Sequence, residues 1–237
     1  MKKGSQMISR IKAIVVVLMA LPLALSACST RPITDEARAH QIVQGAQLAV
    51  QKFKASNEQP MDEFRAMLPK AQGILIMPGV IKGGFILAAE GGSGVLLAKN
   101  GNGEWGQPAF YALAAGSVGL QAGAQVGDAI LLIFSQDAVR AVIDHQGKLG
   151  ADLGLIIGTI GAGVEASTTT NAGADILVFS QGVGAFAGGS LEAAALIKRN
   201  DLNKAYYGEM LTPTDIVLGG RAQNPAADGL RKVLNGQ

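Results

Sequence analysis

Residues 116–127 read GSVGLQAGAQVG, with glycine at 116, 119, 123 and 127. A phosphate-cradling loop, a membrane helix dimerising through G-x-x-x-G and a close-packed strand each use glycine in this way. A phosphate loop needs G-x-G-x-x-G or G-x-x-x-x-G-K-[ST] between strand and helix, and neither spacing occurs here. Gly119, Gly123 and Gly127 do form a double G-x-x-x-G, but Gln121, Gln125 and Asp128 interrupt the run. A spanning helix needs about 20 apolar residues, and each interior glycine would cost it about 1 kcal/mol relative to alanine. Alternation decides the matter. Val118, Leu120, Ala122, Ala124 and Val126 are all apolar, whereas the intervening residues are glycine, serine or glutamine. A period of two predicts a strand, with Gly119, Gln121, Gly123 and Gln125 on a flattened face. Such a face either packs closely against protein or lines a groove.

Outward from this strand, the chain divides by composition. Lys2, Lys3, Arg10 and Lys12 precede the apolar run Ala13–Leu25, which is followed by small residues. That order predicts a signal peptide over residues 1–27. LSAC, ending in Cys28, resembles a bacterial lipobox, which implies an acyl anchor on Cys28 and a polar tether over 28–34. Ser29 after the cysteine points by the same resemblance to the outer membrane, facing the periplasm. The whole chain carries 20 Lys and Arg against 18 Asp and Glu. Losing those four cations leaves 16 against 18, a net charge of −2, so overall charge gives no argument for nucleic acid. Two histidines and one cysteine leave no material for a zinc site, a Cys-His pair or a disulfide framework, and no metal or cofactor is expected.

The stretch TDEARAHQIVQGAQLAVQKFKA predicts a helix capped by Thr34, with an apolar face of Ala39, Ile42, Val43, Ala46, Val50 and Phe53. Arg38, Lys52 and Lys54 on it are candidates for lipid headgroups. A short helix is expected over Met61–Leu68. GILIMP then reads as a strand ended by Pro78, followed by two strand runs around Gly91–Gly94. NGNGEW (Asn100–Trp105) carries two Asn-Gly hairpin signals. QDAVRAVIDH reads as a helix after Ser135, GLIIGTIGAGVEAS as a strand, and ADILVFSQGVGAFAGGS as a strand pair. The next segment ends in a helix or turn near Tyr206 and Tyr207, and TPTDIVL opens a terminal helix capped by Thr212 or Thr214. GDAILLIFSQDAV (127–139) is echoed by GADILVFSQGVGA (173–185), as an old duplication or as strand-end chemistry used twice.

Five stretches in order carry a family resemblance: AQGILIMPGVIKGGF (71–85), GSGVLLAKNGNGEWGQPAFYAL (92–113), GSVGLQAGAQ (116–125), FAGGSLEAA (186–194) and NKAYYG (203–208). Together they resemble a SYLF domain, here covering residues 35–220 and leaving 221–237 as a tail. The resemblance implies a lipid-binding module. Some eukaryotic members bind phosphoinositides through a basic N-terminal helix, and some bind or bundle actin. Lys82, in IKGGF, falls in a family motif and is a further headgroup candidate. The expected fold is α+β: a strongly twisted antiparallel sheet, partly closed or sandwich-like, covered by N-terminal helices.

The expected function is that of a membrane-anchored, non-catalytic lipid-binding lipoprotein of the cell envelope, with membrane phospholipid as partner. The alternative is a protein-interaction module for an envelope partner or a host cytoskeleton. Its anchors would be Trp105, Phe110, Tyr111, Tyr206 and Tyr207 if exposed, although large aromatics more often form core. A distant third reading is an enzyme using two of Glu90, Glu104, Asp128, Glu165 and Glu192, which would have to converge in a cleft.

Overall fold

The computed structural model describes residues 32–144, 157–161, 174–186 and 194–236. From Asp35 onward the elements are α1 (Asp35–Ala55), α2 (Gln59–Met67), β1 (Gly73–Ala98), β2 (Ala109–Ile133) and α3 (Gln136–Asp144). They continue with β3 (Ile157–Gly161), β4 (Ile176–Phe186), β5 (Ala194–Lys198), α4 (Asn200–Tyr207) and α5 (Asp228–Leu234). The sheet order is β1-β2-β4-β3, with β5 beside the first part of β2. Every pairing is antiparallel except β3 with β4, which is parallel. The architecture is α+β, as expected.

GSVGLQAGAQVG lies wholly inside β2, so the strand reading of that stretch holds. β1 is less simple. Pro78 does not end it: the strand runs for 26 residues, and a register shift between Met77 and Val80 takes up Pro78 and Gly79. Gly79 has φ +62° there, a backbone conformation open to glycine, and a proline lacking its N–H is tolerated at such a bulge.

A straight strand of that length would span about 85 Å, roughly twice the width of a domain this size. β1 therefore returns alongside itself. Lys99 N–H donates to the Gln72 carbonyl at 2.8 Å, Gly94 meets the backbone of Ile76, Gly92 that of Val80, and Lys82 pairs with Glu90 at 3.5 Å. The bend thus falls between Lys82 and Glu90, upstream of the Gly91–Gly94 position read from sequence. Glycine at 92 and 94 serves the close approach of the two arms.

Both faces of the central sheet are buried. Ile74, Ile76, Val95, Leu97, Ile130 and Leu132 face one side, where α1, α2, α4 and α5 cover them. Leu75, Met77, Leu96, Leu131 and Ile133 face the other, against α3 and the segment Leu211–Ala222. Two-sided burial explains why GILIM and AILLI read as unbroken apolar runs. On α1 the buried set is Ala39, Ile42, Val43, Ala46, Ala49, Val50 and Phe53, which is the face expected with one alanine added. Phe53, Phe64 and Phe179 meet edge to face at 5.4 Å centroid spacings, fastening α1 and α2 to β4.

Thr214–Leu218 forms a single π-type turn rather than the start of a long helix. Thr212 caps it: Asp215 N–H donates to Thr212 Oγ1 at 3.2 Å, and Thr212 N–H donates to Asp215 Oδ2 at 3.0 Å. Residues 221–237, read as a tail, instead contain α5, with Ala227 and Leu230 fully buried. The segment ADILVFSQGVGAF is one strand, β4, where a strand pair was expected. The echoed segments lie antiparallel in adjacent strands, Ile130 opposite Phe179. Ser135 caps α3, its Oγ accepting from Ala138 N–H at 3.0 Å, whereas Ser180 sits mid-strand opposite Ala129. The two FSQ triplets therefore serve different local structures.

Candidate functional site

The residues singled out from sequence do not gather in one place. Arg38 is exposed on α1. Lys52 pairs with Asp128 at 3.2 Å, Lys54 donates to the Val233 carbonyl at 2.8 Å, and Lys82 is paired with Glu90. These three lysines hold the fold together, joining α1 to β2, α1 to the C-terminal helix, and one arm of β1 to the other. Asp128 also accepts from Gly79 N–H at 3.0 Å, which ties down the bulge. Gly119, Gln121 and Gly123 lie in β2, but their side chains fall outside the described residues, as does Cys28. Gln125 is half-buried, and its amide nitrogen lies where a Cβ on Gly182 would come within 2.7 Å.

The carboxylates are also dispersed. Glu90 and Asp128 are ion-paired, Glu104 accepts from Asn100 Nδ2 at 3.2 Å, and Glu165 and Glu192 fall outside the described residues. Trp105, Phe110, Tyr111 and Tyr206 are core, each no more than 4 % exposed, and Tyr207 is half-buried. Burial pushes the phenols of Tyr111, Tyr206 and Tyr207 above their ordinary range, which keeps them protonated at neutral pH. Tyr207 donates to the Pro108 carbonyl at 2.6 Å. Among the described residues no group of three or more His, Cys, Asp and Glu could hold a metal ion, and no helix is long and apolar enough to cross a membrane.

A cleft of about 950 Å³ opens elsewhere, between the β1–β2 connection, the start of α3 and the C-terminal segment. The first wall is the NGNGEW turn. Asn100 organises it: its Oδ1 accepts from Asn102 N–H at 2.9 Å and Glu104 N–H at 3.0 Å. Gly103 takes φ +78°, so the turn is the longer kind that needs one left-handed residue, closed by the Lys99–Trp105 bridge. The second wall is Gln136 and Arg140 of α3, with Gln136 Nε2 donating to the Lys99 carbonyl at 3.3 Å. The third comprises Ile216–Leu218, Ala222–Pro225 and Arg231. Asn224 builds that wall, donating to the Tyr206 carbonyl at 2.7 Å and accepting from Ala226 N–H at 2.9 Å.

Three cations line the cleft. Lys99 donates to the Pro69 carbonyl at 2.7 Å and lies 5.1 Å from the Trp105 ring centroid; burial pulls its ammonium below the usual lysine range. Arg231 donates to the Trp105 carbonyl at 2.8 Å and to Asp228 at 3.0 Å. Arg140 is paired with Asp137 at 3.2 Å in a largely exposed ion pair. Among the described lining residues Asp228 is the one carboxylate, and there is no serine, threonine, tyrosine, histidine or cysteine. Gln107 stands in the wall with its Oε1 closed off and unpartnered. Sequence reasoning missed this site because it joins segments more than 100 residues apart, and because the part of its third wall beyond residue 220 was taken for a tail.

Such a surface can bind and orient, and comparison with known proteins gives it a context. The family described as "Las17-binding protein actin regulator" (Ysc84) matches residues 114–237. The chain belongs to the Ysc84/SYLF family. It is 32% identical over 187 residues to LAS seventeen-binding protein 3 of Saccharomyces cerevisiae, covering 78% of this chain and 40% of that protein. It is 31% identical over 170 residues to SH3 domain-containing YSC84-like protein 1 of Rattus norvegicus, covering 71% and 50%. The human protein of that name is 30% identical over 170 residues, covering 71% and 49%. The chain thus spans about half or less of the length of these relatives. The name of the yeast relative describes binding. The family match ends at residue 237, so the segment that forms α5 and the third wall belongs to the family domain.

Proposed function

We propose that this chain is a non-catalytic binding module for a protein partner, tethered to the outer membrane of a bacterial envelope by an acyl anchor on Cys28. The observation that carries the binding role is the cleft. It is wide, built from three separate elements, and lined by hydrogen-bonding and cationic side chains; the described lining residues include no serine, threonine or cysteine nucleophile and no pair of carboxylates. Acid–base catalysis would need two groups of opposite role within reach of one substrate, and Asp228 is already committed to Arg231. The relatives named for binding support the same reading, in its coarser form of a protein-interaction domain. Anchoring supplies the location: each buried methylene of an acyl chain contributes about 0.8 kcal/mol.

The test is in-cell photo-crosslinking from Gln223, an exposed cleft residue, against Gln41, exposed on α1. A defined protein adduct from Gln223 and none from Gln41 is expected. The absence of any adduct from several cleft positions would end the proposal. Intact-mass analysis of Cys28 tests the tether independently.

A second reading, contact of the folded domain with phospholipid, draws on one observation. Ile81 and Val126 are cross-strand partners and are 61% and 52% exposed, an apolar pair open on the sheet. Flotation with phospholipid vesicles tests it: loss of binding in Ile81→Ser is expected, and unchanged binding would remove this reading.

A further inference from the structure

We infer that the cleft is a docking groove for an acidic, extended peptide segment of the partner. The inference rests on the protein-binding reading above and names the chemistry of what binds. Three observations lead to it.

The first is charge. Lys99, Arg140 and Arg231 come from three different walls, and Asp228 is the one carboxylate among the described lining residues. The mature chain as a whole is expected to be slightly acidic, so this concentration of cations is local. The second is donor capacity. A lysine ammonium carries three N–H donors and an arginine guanidinium five. Lys99 directs a donor to Pro69, Arg140 one to Asp137, and Arg231 two to Trp105 and Asp228. These contacts fix the heads in place and leave further N–H groups for carboxylates. The Arg140–Asp137 pair is exposed on both sides, with 59% and 93% side-chain exposure. Such a pair contributes at most about 1 kcal/mol and yields readily to a competing carboxylate.

The third observation is the lining between the charges. Gln72, Gln136 and Gln223 present amide donors and carbonyl acceptors, while Ile216, Val217, Leu218 and Pro225 supply apolar wall. An inorganic anion or a compact headgroup uses only donors. A peptide offers carboxylates to the cations, main-chain N–H and C=O to the glutamines, and methylene surface to the apolar wall. The helix ends beside the cleft add no anion site, because Ser135 already caps α3 and Asn224 occupies the Ala226 N–H. Cations on three walls suit a ligand with carboxylates spread along a chain.

The experiment uses the full chain and a fluorescein-labelled twelve-residue peptide of alternating Glu and Gly, followed by anisotropy, with the Lys-Gly peptide as charge-reversed control. Binding of the Glu-Gly peptide is expected, weakening about tenfold in Arg140→Glu and falling with added salt. Arg38→Glu, an exposed charge reversal on α1, is expected to bind as the parent does. Arg140 is exposed, so its replacement leaves the fold intact, and urea unfolding of each variant verifies this. Equal affinity for the two peptides, or equal loss in Arg140→Glu and Arg38→Glu, overturns the inference. Inorganic phosphate or phosphatidylglycerol vesicles bound in an Arg140-dependent manner without peptide binding would overturn it too, reassigning the cleft to a small anion or a membrane surface. If the Gln223 crosslink persists unchanged in Arg140→Glu, the protein-binding role stands and the acidic-peptide inference falls.

Discussion

The return of β1 along itself can be tested at one atom. A Cβ on Gly94 would fall on the carbonyl oxygen of Ile76 and the sulfur of Met77, and 2.9 Å from the Ile76 carbonyl carbon. Met77 could swing aside, but the Ile76 carbonyl is backbone in the middle of a buried strand. Gly94→Ala must therefore push the two arms of β1 apart. Overpacking of this kind costs about 1–3 kcal/mol and occasionally more; a clash with main chain belongs at the upper end, near 3 kcal/mol. Trp105, the single tryptophan and 2% exposed, reports unfolding by its fluorescence. With a urea m-value of about 2 kcal/mol/M, the midpoint should fall by about 1.5 M. Gly116→Ala is the matched control in β2, since a Cβ there meets nothing within 4 Å; its midpoint should stay within about 0.3 M or rise slightly, as the unfolded chain loses freedom. If Gly94→Ala unfolds at the parent midpoint, the arms of β1 are not in contact and the sheet must be redrawn.

Two further outcomes follow from named contacts. Asn203 is fully buried and its Oδ1 accepts from Phe110 N–H at 2.9 Å; Asn203→Leu should cost about 2–3 kcal/mol in urea unfolding by orphaning that N–H, and a loss below 0.5 kcal/mol would contradict the contact. The hydrogen bond from Thr212 holds the Asp215 carboxyl below its ordinary range, helped by Arg221, and the bond from Arg199 does the same for Asp201. A depressed folded-state pKa gives stability that is present above the unfolded value and lost as pH falls through the folded one. The urea midpoint should therefore drop below about pH 4, less steeply in Asp215→Asn than in the parent; identical acid profiles would rule out the Thr212–Asp215–Arg221 clasp.

The sheet was legible where local chemistry decides the backbone. Alternation in GSVGLQAGAQVG predicts β2 because period two is a property of a single strand. The face of α1 was legible for the same reason, at period 3.6. Pro78 misled because proline removes one ladder donor, and whether a strand survives that loss depends on a bulge: Gly79 supplies the left-handed backbone and Asp128, 49 residues away, binds its N–H. The reversal of β1 was placed too late because Gly92 and Gly94 look like turn glycines. Their smallness in fact admits another stretch of backbone, a long-range requirement that leaves the same letter in the sequence.

The cationic residues show why the site was harder to read than the fold. Lys52, Lys54 and Lys82 drew notice as headgroup ligands by charge and motif, yet each has a partner that the fold needs. Arg140 and Arg231 drew none, one lying in an ordinary amphipathic helix and the other in an assumed tail. What separates Arg140 from the three lysines is where its partner lies. A lysine answered by Asp128 or Glu90 of the same sheet has its charge neutralised within the fold. Among the described residues Arg140 is answered only by Asp137 on its own helix, almost fully exposed to water. A charge whose partner is solvated and local can change partners at small cost, and α3 places one such cation with Lys99 and Arg231 around one cleft. The proposed binding role therefore rests on the arrangement of partners, which a count of charges does not contain.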